Sequence, residues 1–150
     1  MKGRLFLAAG TVAVGLLAAG QFVSASVQSD EQRPIKTVYH LTNGLEEASR
    51  GLGNIRNHLA ADPGAKITVV ANGNGIEFLL DGAKDKNGNP YEVIVQDLKG
   101  KNVDFRVCNN TLVTRKIDRS KVIQEAVIVP SGVAEAAKLQ AREGYVYLRP

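Results

Sequence analysis

The chain has one cysteine, one methionine and no tryptophan among its 150 residues, and only 5% of them are aromatic. A lone cysteine cannot form an intrachain disulfide, a zinc finger or a CxxC redox pair, so stability has to come from buried apolar surface. An excess of one charge is also missing. Nineteen Lys and Arg stand against 15 Asp and Glu, with no dense basic run and no aromatics interleaved with basic residues, which argues against nucleic acid as a partner. The two histidines, His40 and His58, lie too far from each other and from Cys108 for local ligand spacing, so no metal is expected. The chain has neither a G-x-S-x-G nucleophile elbow, since Ser131 sits in Pro-Ser-Gly, nor a P-loop lysine, nor an internal repeat. Apolar residues at 44% and charged residues at 23% are near the soluble average and exclude collagen-like, low-complexity and wholly disordered chains.

One long apolar run is present, at the N-terminus. Lys2 and Arg4 precede Leu5 to Ala19, and Val23-Ser24-Ala25 offers the small and branched residues that signal peptidase reads. Residues 1–25 therefore read as a cleaved secretory signal, which in a diderm bacterium implies a periplasmic protein with no stable membrane insertion after cleavage. An uncleaved anchor is the alternative, because the 19 residues from Leu5 to Val23 approach the ~20 needed to cross a bilayer; Gly10, Gly15, Gly20 and Gln21 weaken it. Loss of Lys2 and Arg4 leaves 17 basic against 15 acidic residues. Residues 26–35 are polar up to Pro34 and read as a flexible tether, and residues 36–150 as the folded domain.

Within the domain, strands and helices alternate. Thr37–Leu41, Ile67–Ala71, Val103–Val107, Ala126–Val129 and Tyr145–Leu148 are rich in β-branched or alternating residues and predict five strands. Pro150 marks the last as an edge. Leu45, Ala48, Leu52, Ile55 and Leu59 form one helical stripe that Asp62-Pro63-Gly64 stops, with Thr42-Asn43-Gly44 as its turn and cap. A short helical stripe follows over Ile76, Leu79, Leu80 and Ala83. Asn89 as cap and Pro90 as first residue predict a helix stopped by Gly100, with strand as the alternative around Val93-Ile94-Val95. Asn109-Asn110-Thr111 caps a helix to about Lys116, and Ser131 caps one that Gly144 ends. The fold class is thus α/β, with a mostly parallel five-stranded sheet covered on both faces.

In such sheets ligands bind beyond the carboxyl ends of the strands. Those ends carry Thr42-Asn43-Gly44, Asn72-Gly73-Asn74-Gly75, Cys108-Asn109-Asn110 and Pro130-Ser131-Gly132. Cys108 closes a strand and precedes a helix N-terminus, with Arg106, Arg115 and Lys116 close in sequence. These are conditions that lower a thiol pKa, and the alternative is a small buried hydrophobe. Asn72, Gly73, Asn74 and Gly75 make either a tight turn or a backbone nest for a small anion beside Cys108, for which an anionic sulfur species is suited. His40 is an auxiliary candidate near the same rim, and Tyr145 and Tyr147 suit edge-strand packing or oligomer contacts.

Val107-Cys108-Asn109-Asn110-Thr111-Leu112, then Val129-Pro130-Ser131-Gly132-Val133-Ala134-Glu135, then Leu139-Gln140, and finally Gly144-Tyr145-Val146-Tyr147-Leu148-Arg149-Pro150 resemble the DsrE/DsrF-like (YchN-like) family. The resemblance covers roughly Lys36 to Pro150. It implies a three-layer α/β/α sandwich that assembles into homo- or hetero-oligomers, often trimers or hexamers. It further implies a sulfur carrier or sulfurtransferase-type relay with a persulfide on Cys108, the one residue that can take that role. Asn109 and Asn110, with Asn72 to Gly75, would then stabilise the anion, and Arg106 or Arg115 would supply positive charge. Small sulfur species or a thiol-bearing acceptor protein are the expected partners, and no cofactor is needed. The competing expectation is a non-enzymatic oligomeric binding or assembly subunit with a structural cysteine.

Overall fold

The β-branched runs become strands because each can bury one or both faces of a pleated backbone. The computed structural model describes residues 33–150; the signal expected over residues 1–25 and all but the last three residues of the tether expected over 26–35 lie outside the described residues. The strands are β1 (Lys36–Leu41), β2 (Lys66–Ala71), β3 (Asp104–Cys108), β4 (Ala126–Val129) and β5 (Val146–Leu148). They form one sheet in the order β4-β3-β2-β1-β5, and every neighbouring pair is parallel. Helices α1 (Leu45–Ala61), α2 (Tyr91–Gly100), α3 (Asn109–Thr114) and α4 (Gly132–Glu143) connect them, with 3₁₀ turns at Gly73–Leu79 and Arg119–Lys121.

This strand order fixes the layers. The chain steps one way from β1 to β4 and then returns across the sheet to β5, and right-handed crossovers in opposite directions fall on opposite faces. The burial pattern shows it. Tyr39, Leu41, Val69, Ala71, Phe105 and Val107 point into a large core shared with Leu52 and Ile55 of α1, Phe78 of the first 3₁₀ turn, Val95 and Leu98 of α2, and Leu112 of α3. Their neighbours Val38 and Val70 face the other way, onto Leu139 of α4. Phe78 packs edge-on to Tyr91 at 6.0 Å and to Phe105 at 6.3 Å, which ties the 3₁₀ turn to α2 and β3. Among the described residues no helix is long and apolar enough to cross a membrane.

Several boundaries differ from the sequence reading for local reasons. The stripe after β2 is a 3₁₀ turn that begins at Gly73; Ile76 and Leu79, three apart, suit its three-residue repeat, and Leu80 leaves it to bridge Val122. Pro90 is extended, at φ −63° and ψ 131°, and α2 starts at Tyr91. Asn89 does not cap α2: its side chain donates to Asp85 Oδ2 at 3.1 Å. Gly100 is the last helical residue, and the chain turns at Asn102, with φ 63°. Val93–Val95 is helical. The short turn at Arg119–Lys121, which has no apolar stripe to announce it, is capped by Asp118.

Candidate functional site

The carboxyl ends of the strands form one rim, and β3 delivers Cys108 there as both its last residue and the N-cap of α3. Cys108 is only 3% exposed, yet polar groups surround its sulfur. Burial is the largest single influence and pushes the thiol up. The N–H of Gly132, the hydroxyl and N–H of Thr111 and the N–H of Asn110 donate to the sulfur and together outweigh it, holding the thiol below its ordinary pKa. Thr111 is committed to this role from its other side. Its Oγ1 accepts the Gly73 N–H at 3.0 Å, which leaves its single proton for the sulfur.

Gly132 opens α4 directly against the cysteine. A Cβ there would lie 3.2 Å from the Cβ atoms of both Cys108 and Asn72 and 3.5 Å from the Ala71 carbonyl oxygen. The missing side chain lets the α4 backbone come close enough for its N–H to reach the sulfur.

A second polar chain meets the same place. The His40 ring, on β1, is bonded at both nitrogens: Nδ1 to the Tyr147 hydroxyl at 2.9 Å and Nε2 to Asn72 Oδ1 at 2.8 Å. The Tyr147 ring also stands edge-on to the imidazole, with 5.7 Å between centroids. β5 and β1 pair with Val38 opposite Tyr147, so the tyrosine side chain lies on the α4 face beside His40.

The remaining sequence candidates are placed as follows. Asn72, Gly73 and Gly75 spend their backbone N–H groups inside the protein, on the Leu41 carbonyl, Thr111 Oγ1 and the Asn72 carbonyl. The 72–75 loop therefore acts as a turn that holds Thr111 and presents the Asn72 side chain, and Asn74 is exposed. Arg106 shares the Cys108 face of β3 but is paired with Glu135 of α4. Arg115 pairs with Glu77 at 2.9 Å and donates to the Gly73 carbonyl at 3.3 Å, bracing the same turn. Asn109 Oδ1 accepts from Arg119 at 2.5 Å. Asn110 contributes its N–H, which also points to the Pro130 carbonyl at 3.3 Å.

Gly132, which the sequence places on the ligand rim without a role, joins the site, as do Thr111 and Tyr147, which the sequence marks for a helix cap and for edge-strand packing or oligomer contacts. Their one signal was position, since each lies within a motif at a strand end. Among the described residues no three of His, Cys, Asp and Glu cluster closely enough to hold a metal ion. His58 lies apart, with Nδ1 bonded to the Tyr39 hydroxyl at 3.0 Å.

Comparison with known proteins agrees with this architecture. The protein of unknown function MTH1491 from Methanobacterium thermoautotrophicum is similar at 30% identity, with a TM-score of 0.68 over 77% of this chain and 99% of that one. The ychN protein from E. coli shares the fold at 15% identity, with a TM-score of 0.59 over 78% of this chain and 100% of its own. No curated protein matches the sequence. The DsrE/DsrF-like family profile matches residues 36–150, and the chain, with its wholly parallel five-stranded sheet, belongs to that family.

Proposed function

We propose that the protein carries sulfane sulfur as a persulfide on Cys108, as a sulfur carrier or sulfurtransferase-type relay. The observation that carries this reading is the set of donors around the sulfur, from Gly132, Thr111 and Asn110, which favours the thiolate despite burial. Membership of the DsrE/DsrF-like family is consistent with it. The thiolate attacks the outer sulfur of a polysulfide; a bond forms between Cys108 Sγ and that sulfur while the donor's S–S bond breaks, and the shortened polysulfide leaves with the electron pair. An acceptor thiolate then takes the outer sulfur, and the Cys108 thiolate leaves. Neither step uses an oxidant, a metal or an organic cofactor. A sulfur that is 3% exposed suits a small donor such as an inorganic polysulfide.

Intact-mass measurement after incubation with sodium polysulfide tests the reading. The expected result is a gain of one sulfur atom on wild type and none on Cys108→Ser. No gain on wild type, or an equal gain on the variant, overturns it. The burial of Cys108 favours a second reading, in which the sulfur merely caps α3 within a non-enzymatic oligomeric binding or assembly subunit. That reading expects slow alkylation by iodoacetamide at neutral pH and full function in Cys108→Ser.

Our reading also takes residues 1–25 as a cleaved signal and the mature chain as a periplasmic homo-oligomer, a trimer or hexamer, served by small sulfur species and a thiol-bearing acceptor protein. The pattern of Lys2, Arg4 and Leu5 to Ala19 before Val23-Ser24-Ala25 supports the export step. Amino-terminal sequencing of protein from a periplasmic extract is expected to begin at Ser26; a sequence that begins at Met1 would count against cleavage.

A further inference from the structure

His40 is buried, with 9% exposure, on the strand next to the one that presents Asn72, and the persulfide chemistry above gives it no part. Its bonding, however, sets the orientation of a group beside Cys108. A phenol hydroxyl donates readily to an unprotonated ring nitrogen, and a carboxamide oxygen only accepts. With Tyr147 donating to Nδ1, the ring proton is on Nε2 and is donated to Asn72 Oδ1. The carboxamide oxygen is then turned toward His40, and its NH₂ is turned the other way, with no protein partner among the described residues and no burial that would require one. The Asn72 Cβ and the Cys108 Cβ each lie 3.2 Å from the space that a Cβ on Gly132 would fill, so the two side chains spring from either side of the same narrow gap.

We propose that Tyr147 and His40 are positioning residues that fix the Asn72 carboxamide with its NH₂ toward the rim, where it donates to the charged outer sulfur of a persulfide on Cys108. The inference rests on the persulfide reading and adds to it a division of labour. Gly132, Thr111 and Asn110 serve the inner sulfur, which is the thiolate before loading, whereas Asn72 serves the outer sulfur, which exists only after loading. The chain of bonds runs from β5 through β1 to Asn72, the first residue after β2, so the sheet sets the orientation of a donor that the loop carries. A hydrogen bond to a charged group is a strong one, and its loss from the loaded state corresponds to about a tenfold effect.

The test loads the purified protein with sodium polysulfide and follows decay of the one-sulfur adduct by intact mass, alongside the pH profile of iodoacetamide alkylation of the unloaded thiol. Tyr147→Phe, His40→Phe and Asn72→Ala are each expected to shorten the adduct lifetime about tenfold and to leave the alkylation profile in place. Asn72→Gln, which keeps an amide, is expected to recover part of the lifetime. Unchanged lifetimes, or lifetimes that fall together with a shifted alkylation profile, overturn the proposal. Ring ¹⁵N NMR of unloaded wild type gives an independent check: a proton on Nε2 of His40 supports the assignment and a proton on Nδ1 overturns it. If wild type takes up no sulfur, the persulfide reading fails and this donor role with it; if wild type loads but the variants hold sulfur as long, only this inference fails.

Discussion

Among the groups that lower the thiol pKa, after the Gly132 N–H, Thr111 is the one that acts through a side chain, its hydroxyl held between the Gly73 N–H and the sulfur. Thr111→Val keeps the shape but removes both bonds. The alkylation profile of Cys108 is expected to move to higher pH, and the unpaired Gly73 N–H to cost ~1–3 kcal/mol of stability in denaturant titration; Thr111→Ser is expected to retain both properties. The same depressed pKa has a consequence for folding. In the window between the lowered native value and the ordinary thiol value, the unfolded chain binds more protons than the native one, so stability rises with pH there. The stability of wild type relative to Cys108→Ser is therefore expected to grow through that window, to stay level above the ordinary thiol pKa, and to fall again as pH drops through the native value. Equal pH dependence of the two proteins in urea titrations would contradict this. At this scale the sequence showed Cys108, Asn72 and His40, whose places at strand ends follow from local pattern. It could not show Thr111 or Tyr147, whose bonds join residues 38 and 107 positions apart and exist only once the sheet has closed.

At the scale of elements, the rim depends on turns that leave no room for error. A Cβ on Gly75 would stand 2.2 Å from the Leu41 carbonyl oxygen and 2.3 Å from its carbon, so Gly75→Ala forces the 3₁₀ turn away from β1 and is expected to destabilise far more than Gly132→Ala. The latter meets side-chain atoms at 3.2 Å and falls in the ~1–3 kcal/mol range of overpacking. The β1–α1 turn is held differently. Gly44 offers no side-chain cap, and Glu47, only 2% exposed, reaches back instead, accepting the Thr42 N–H at 2.5 Å and the Asn43 N–H at 2.6 Å. Arg149 approaches the same carboxylate at 3.7 Å. Glu47→Ala leaves two N–H groups and a cation without it, an expected loss of ~2–4 kcal/mol, whereas Glu47→Gln keeps one acceptor and should lose less. Thermal unfolding of the two variants checks the order. The periodicity of Leu45 to Leu59 made α1 legible and Ser131 with Gly144 bounded α4, because these signals are local. The cap from Glu47 was not legible, since a carboxylate in a first helical turn looks the same whether it faces solvent or the turn behind it.

The unit formed by residues 34–150 is a sandwich with unequal layers. One face of the sheet is sealed by α1, α2, α3 and the first 3₁₀ turn over a large core, whereas the other is covered, among the described residues, by α4 with Tyr145 beside it. α4 packs over β1, β2 and β3 and leaves Val127 of β4 60% exposed. The alternating strand pattern made two covered faces legible, but not how thinly the second is covered, because that follows from the single reversal of direction between β4 and β5. This asymmetry bears on chemistry, since α4 carries the Gly132 N–H that meets the Cys108 sulfur, and the helix rests on few apolar contacts, chiefly Leu139 against Val38 and Val70. Leu139→Ala is expected to cost ~2–5 kcal/mol and, by loosening α4, to shift alkylation of Cys108 to higher pH. Leu98→Ala, an equally buried deletion on the opposite face, is expected to cost a similar amount but to leave the alkylation profile where it was. Hydrogen exchange should rank the layers in the same order, with α4 amides opening at lower free energy than those of α1. If Leu98→Ala moved the thiol as far as Leu139→Ala does, global stability would govern the sulfur; if only Leu139→Ala moves it, the thin layer does.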